Sequence, residues 1–178
     1  MPRNVEIKAR VNDLAVLLER IAGISDSGPF EIIQDDTFFF CPNGRLKVRE
    51  FSPEEGELIF YQRMDIAGPK ESSYFISPTS SPASLREILS LALGMFGRVR
   101  KRRLLFLTGS TRIHLDEVEG LGHFMELEVI LTDGQSVEDG EAIARKVMKQ
   151  LAIAGEDLLV GAYIDLLIDT SKRPEIPD

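Results

Sequence analysis

Ionisable side chains recur at every second position in five stretches of this sequence, a spacing that puts each set on one face of a β-strand. Asn4, Glu6, Lys8 and Arg10 share the first such face, and Arg45, Lys47 and Arg49 the second. Lys101 and Arg103 follow Val99 on the third. Arg112, His114 and Asp116 form the fourth, and Glu126 and Glu128 the fifth, with Ile113, Leu115, Met125, Leu127 and Val129 on the opposite sides. On a single strand such a face is simply the solvated side of a sheet. Five together predict a lining, because a long sheet curls and closes, and helices over its apolar outer surface leave the charged faces turned inward. Unit charges ~4 Å apart interact by about 4 kcal/mol at an effective dielectric near ~20. Clustered Arg and Lys therefore need an anion, and clustered Asp and Glu need a cation. The acids fall on the first strand and the last two, the bases on the middle strands and the strand before Asp116. A polyphosphate with a divalent metal answers both needs. Oxygen donors in this number suit Mg²⁺ or Mn²⁺ and not zinc, while Arg forks and Lys point charges suit a phosphate chain.

The elements that must carry these residues can be read in order. Strands are predicted over residues 4–11, 34–41, 45–51, 57–63, 72–77, 98–107, 111–118 and 124–132, with Pro42-Asn43-Gly44 turning the second into the third. Asn12 or Asp13 caps a first helix through Leu14, Leu17, Leu18 and Ile21, which Gly23 ends. Ser81-Pro82 opens a second helix that closes before Gly94, and Ser136 caps a third over 137–151. A last apolar stripe through Leu158, Leu159, Tyr163, Leu166 and Leu167 predicts a C-terminal helix, followed by a loose tail, 170–178. Eight strands joined by short connections, with helices grouped around them, make an α+β fold with an antiparallel sheet.

Bulk composition narrows the function. With 178 residues, 43% of them apolar, the chain makes one domain, 1–169, with a real core. Its net charge of -8 argues against nucleic acid and anionic membranes as partners. A single cysteine, Cys41, closes no intrachain disulfide and fits a reducing compartment, and residues 1–10 lack the apolar core of a signal peptide. A cytoplasmic location follows as the expectation. Cys41 reads as a packed thiol, and the run Arg98 to Arg103 reads as an alternating strand and not a nucleic-acid patch.

Several segments resemble those of CYTH proteins, also called triphosphate tunnel metalloenzymes, which include class IV adenylyl cyclases, thiamine triphosphatases and inorganic triphosphatases. They are Asn4-Val5-Glu6-Ile7-Lys8, Gln34 to Phe39, Gly44 to Glu50, Val99 to Arg103 and, most specific, His114 to Glu128. The resemblance covers nearly the whole chain. It implies a closed eight-stranded antiparallel tunnel with flanking helices that binds a triphosphate and a divalent metal. Glu6, Asp116, Glu126 and Glu128 would then serve the metal, and Lys8, Arg45, Lys47, Arg49, Arg63, Lys101, Arg103 and Arg112 the phosphates, with Lys70 a further extra. Asn4 stands where the family pattern has its first glutamate. Glu6, Glu128 and Lys8 are the catalytic candidates, His114 an orienting residue, and Tyr163 either a plug at one mouth or a core tyrosine. The implied reaction is hydrolysis of inorganic tripolyphosphate or of an organic triphosphate such as thiamine triphosphate. Adenylyl cyclisation of ATP, and polyphosphate binding without turnover, are the alternatives, in a monomer or homodimer.

Overall fold

Alternation of apolar and charged residues dictates strands with two unlike faces, and the computed structural model, described here for residues 1–171, closes eight of them into a barrel. In chain order they are β1 (Arg3–Arg10), β2 (Ser27–Phe39), β3 (Arg45–Ser52), β4 (Glu55–Arg63), β5 (Lys70–Thr79), β6 (Met95–Thr108), β7 (Thr111–Val118) and β8 (Gly122–Ile130). Around the barrel they run β1-β5-β4-β3-β2-β6-β7-β8, every pair antiparallel, and β8 returns to β1 through Glu6 opposite Glu128 and Lys8 opposite Glu126. Closure removes the unpaired sheet edges that an open eight-stranded sheet would present.

Four helices flank the barrel: α1 (Leu14–Ile24), α2 (Pro82–Leu93), α3 (Val137–Leu151) and α4 (Tyr163–Ser171). Asp13 caps α1 by accepting the Val16 amide at 3.0 Å, and Ser136 with Asp139 makes a capping box on α3. The larger apolar cluster lies outside the barrel, and a second one, with Phe38, Val99 and Tyr163, reaches one end of its interior. Ile7, Ile113, Leu115, Met125 and Leu127 point outward from β1, β7 and β8 and pack on Leu17 and Ile21 of α1 and Val147 and Leu151 of α3. Hydrophobic burial thus holds the strands from the outside and leaves the interior to charge.

Three elements differ from the sequence expectation. β2 starts at Ser27 and not at residue 34, because its first half pairs along β6 (Phe30 opposite Leu105, Ile32 opposite Arg103) although Gly28-Pro29 hides the alternation. α1 runs through Gly23. Leu158 and Leu159 lie before the last helix and not in it: the Leu159 amide donates to the Lys8 carbonyl at 2.9 Å, and Gly161, at φ +82°, turns the chain into α4. Thr170 and Ser171 of the expected tail are helical, and the rest of it, 172–178, lies outside the described residues. No helix among the described residues is long and apolar enough to cross a membrane.

Close approach of β4 to its neighbours depends on Gly56, where a Cβ would meet the Arg49 carbonyl oxygen at 2.5 Å and the Pro82 Cβ at 2.7 Å. Gly56→Ala should cost about 1–3 kcal/mol of stability by overpacking, read as a lower urea midpoint at unchanged slope.

Candidate active site

Register decides which charges meet inside. The inward faces of β1 and β8 carry Glu6, Lys8, Glu126 and Glu128, and β7 sets His114 opposite Glu126 and Arg112 opposite Glu128. Of the remaining strands, β3 supplies Lys47 and Arg49, β4 supplies Arg63, and β6, next to β7, supplies Lys101 and Arg103. These side chains line one cavity of about 440 Å³. Seven cations and four carboxylates face it, an excess of three positive charges inside a chain of net charge -8. At the end of β7 that carries Asp116, Ala162 and Tyr163 meet the cavity; at the end that carries Arg112, Leu105, Leu107, Tyr74 and Ile76 do.

Each cation inside is held by a partner. Arg103 makes a two-toothed pair with Asp116 (Nε to Oδ1 and Nη2 to Oδ2, both 2.6 Å) and also donates to Glu126 Oε2 at 2.6 Å. Lys8 Nζ lies 3.1 Å from Glu126 Oε1 and 3.6 Å from the centre of the Tyr163 ring. Arg63 is bonded to Glu6. Arg49 grips Asp36 through Nε (2.7 Å) and Nη2 (2.8 Å), and Lys47 donates to the same carboxylate at 2.7 Å.

Burial and neighbours set the charge states. Burial alone would raise Asp36, yet Arg49 and Lys47 hold its carboxyl well below the ordinary aspartate value. Glu126 is likewise held well below its usual range, where Lys8 and Arg103 outweigh burial, and Glu128 is lowered because His114 and Arg103 do the same. Both remain anionic at neutral pH. Burial lowers Lys8 and Lys101, and together with the neighbouring Arg49 it brings Lys47 down to about 7.

Not every expected residue reaches the cavity. Asp116, expected beside the metal, is 1% exposed and lies behind the cations: its oxygens receive Arg103, Lys101 (3.5 Å) and the Tyr163 hydroxyl (2.8 Å), which fixes it as an anchor for Arg103. Arg45 lies outside the main cavity, in a smaller recess with Asn43 and Asp65, and forks onto Asp165 of α4 at 3.0 and 2.7 Å. Lys70 donates to the Ile66 carbonyl at 3.0 Å. Arg112 stands half exposed at the mouth, 3.8 Å from Glu128. Tyr163 packs in the core on Phe124 while its hydroxyl donates to Asp116, and its ring lines one end of the cavity. Asp36 is a charged lining residue missing from the expected set. Its signal is parity: Gln34, Asp36 and Phe38 alternate inward, whereas Asp35 faces out to Arg98 at 2.6 Å.

A divalent cation fits the acidic side. One donor atom each from His114, Glu126 and Glu128 lies within 4.8 Å of the others, and His114 Nδ1 and Asn4 Oδ1 are buried without a hydrogen-bond partner. Among the described residues this is the one cluster of that kind.

The depressed Asp36 carboxyl stabilises the fold above the ordinary aspartate value of 3.8, and that contribution is lost as pH falls through its folded value. Asp36→Asn leaves Lys47 and Arg49 without their counter-charge, so it should cost about 3–5 kcal/mol at pH 7. Its stability should also decline less steeply than that of the parent below about pH 4, as followed by urea denaturation across pH.

The same architecture occurs in known structures. A protein from Pyrococcus horikoshii superposes with a TM-score of 0.81 at 24% identity, over 92% of this chain and 98% of its own. A candidate adenylate cyclase from Vibrio parahaemolyticus gives 0.74 at 19% identity, over 93% and 97%. A candidate adenylyl cyclase from Hippeastrum, described as having a dominant triphosphatase activity, gives 0.61 at 16%, over 97% and 98%. At these identities the likeness is one of fold. No curated protein matches the chain. The model of the CYTH domain, however, matches residues 2–163, which span the whole barrel and the start of its closing helix, so the chain belongs to the CYTH family.

Proposed function

We propose that the barrel binds a triphosphate with a divalent cation and hydrolyses one of its phosphoanhydride bonds. The observation that carries this reading is the excess of positive charge facing the barrel cavity, set against a carboxylate cluster on one wall. A multiply charged anion can meet the five inward cations on β3, β4 and β6 at once and offset the positive excess that their protein partners leave.

In this reading Lys47, Arg49, Lys101 and Arg103 bind the phosphate chain, and Asp36 and Asp116 keep the two arginines aimed before the substrate arrives. Arg63 and Lys8 meet the chain on the side of Glu6 and Glu126. Glu126 and Glu128 hold the cation, which when bound neutralises phosphate charge and polarises the transferring phosphoryl group, and Glu6 on the neighbouring strand keeps Arg63 in place beside it. Glu128 is the one of the three carboxylates without a hydrogen bond to another described residue, and it orients the attacking water. Water oxygen bonds to the terminal phosphorus, the bridging P–O bond breaks, and the leaving phosphate takes the electron pair while Lys8 and the arginines stabilise its charge. The water proton leaves through Glu128 to solvent or product. No covalent intermediate is needed.

Tripolyphosphate, thiamine triphosphate and ATP supplied with Mg²⁺ or Mn²⁺ discriminate the outcomes. Release of orthophosphate is expected; cyclic AMP with pyrophosphate would replace this reading with adenylyl cyclisation, and tight binding without product would make the barrel a polyphosphate-binding module. Glu126→Gln and Arg49→Ala should each lower kcat about 100-fold or more with an unchanged far-ultraviolet dichroism spectrum. Since Lys47 sits at about 7 in the free barrel, an anion bound beside it should raise it and draw in a proton. Calorimetry of tripolyphosphate binding at pH 8, in buffers of different ionisation enthalpy, should show proton uptake that Lys47→Met abolishes.

A further inference from the structure

We infer that His114 is itself a ligand of the cation, so that the site is one imidazole nitrogen with two carboxylates and prefers Mn²⁺ to Mg²⁺. The inference rests on the metal-dependent reading of the site given above.

His114 is 4% exposed, lines the cavity, and carries a buried Nδ1 without a hydrogen-bond partner. Around that nitrogen lie two acceptors: Glu126 Oε2 at 3.8 Å and Glu128 Oε1 at 3.9 Å. A hydrogen bond from Nδ1–H is too long at these distances. Two ligands that each stand about 2.1 Å from one ion are separated by up to about 4.2 Å, so both spacings suit donors to a shared cation. A metal-binding imidazole presents a lone pair, and a cation between the three side chains would satisfy it and both carboxylates together.

The other acids are committed elsewhere. Glu6 is bonded to Arg63, and Asp116 to Arg103 and Tyr163. Glu126 retains Lys8 and Arg103, whereas Glu128 meets only Arg112, at 3.8 Å, and His114. The donor set left facing the space is therefore mixed. Mg²⁺ takes oxygen ligands and keeps its water, while imidazole favours the first-row transition dications, so one nitrogen donor tilts the preference away from Mg²⁺.

The test uses the full chain, stripped of metal, with MnCl₂ and MgCl₂ titrated separately by calorimetry in the absence of any triphosphate. Electron spin-echo modulation of the Mn²⁺-loaded protein reads directly bound nitrogen. One Mn²⁺ per chain is expected, on the order of tenfold tighter than Mg²⁺, with an imidazole nitrogen signal. His114→Gln offers an oxygen in place of the nitrogen: Mn²⁺ should still bind, the nitrogen signal should vanish, and the preference should collapse towards unity. His114→Asn serves equally if that variant fails to fold. Mn²⁺ that binds, and is lost in Glu126→Gln, but shows no nitrogen signal or keeps its preference in His114→Gln, overturns the His114 assignment and leaves the metal-dependent reading standing. Absence of Mn²⁺ binding, even with tripolyphosphate present, overturns both.

Discussion

Like charge confined in a closed space is the constraint from which the rest of this molecule follows. Arg49, Lys101 and Arg103 line one wall of the cavity on β3 and β6, and each pair of such charges in proximity costs several kcal/mol unless it is countered. Two devices counter them. Asp36 and Asp116 stand behind the cations and pin them in place, and the remaining excess of positive charge is left for a ligand. A barrel of this kind cannot be stabilised from within, which is why its apolar faces point outward to α1 and α3 and why Ile7, Ile113, Met125 and Leu127 are fully buried there.

The anchors divide the acids into two kinds. Asp36 and Asp116 are saturated by arginine forks and serve the geometry of the cations. Glu126 and Glu128 face the cavity close to the unpartnered His114 nitrogen, Glu126 shared with Lys8 and Arg103 and Glu128 without a hydrogen bond to any described residue. A carboxylate held by a fork is a fixed counter-ion, whereas one with a free oxygen is a ligand. The acid-rich and base-rich sectors expected from the strand order interleave: β6 with Lys101 and Arg103 adjoins β7, Asp36 lies among the bases, and Lys8 with Glu126, Arg63 with Glu6, and Arg103 with both Asp116 and Glu126 join the two sets.

Much of this is legible in the sequence, because a period of two is a local signal. The strands β3, β7 and β8 and the inward direction of Lys47, Arg49, His114, Glu126 and Glu128 follow from alternation alone. The sequence carries less information where pairing is not local. The first half of β2 has no alternation, since Gly28-Pro29 interrupts it and its partner β6 lies some seventy residues on. Asp116 shares the parity of His114, yet β7 carries it past the cavity to meet Tyr163, a contact between distant segments that no spacing reveals. Asp36 was hidden by its neighbour: of two adjacent aspartates, the parity shared with Gln34 and Phe38 turns Asp36 inward, and the register of β2 against β3 sets it opposite Arg49. Arg45 has inward parity as well, but α4 draws it out of the main cavity through Asp165.

Anomalous diffraction from crystals grown with Mn²⁺ and tripolyphosphate, in a variant such as Glu128→Gln that slows turnover, tests the central claim most directly. The account predicts a phosphate chain inside the barrel with oxygens against Arg49, Lys101 and Arg103, and a manganese peak beside Glu126 and His114. A barrel free of phosphate, with the anion bound only on the outer surface, would contradict it.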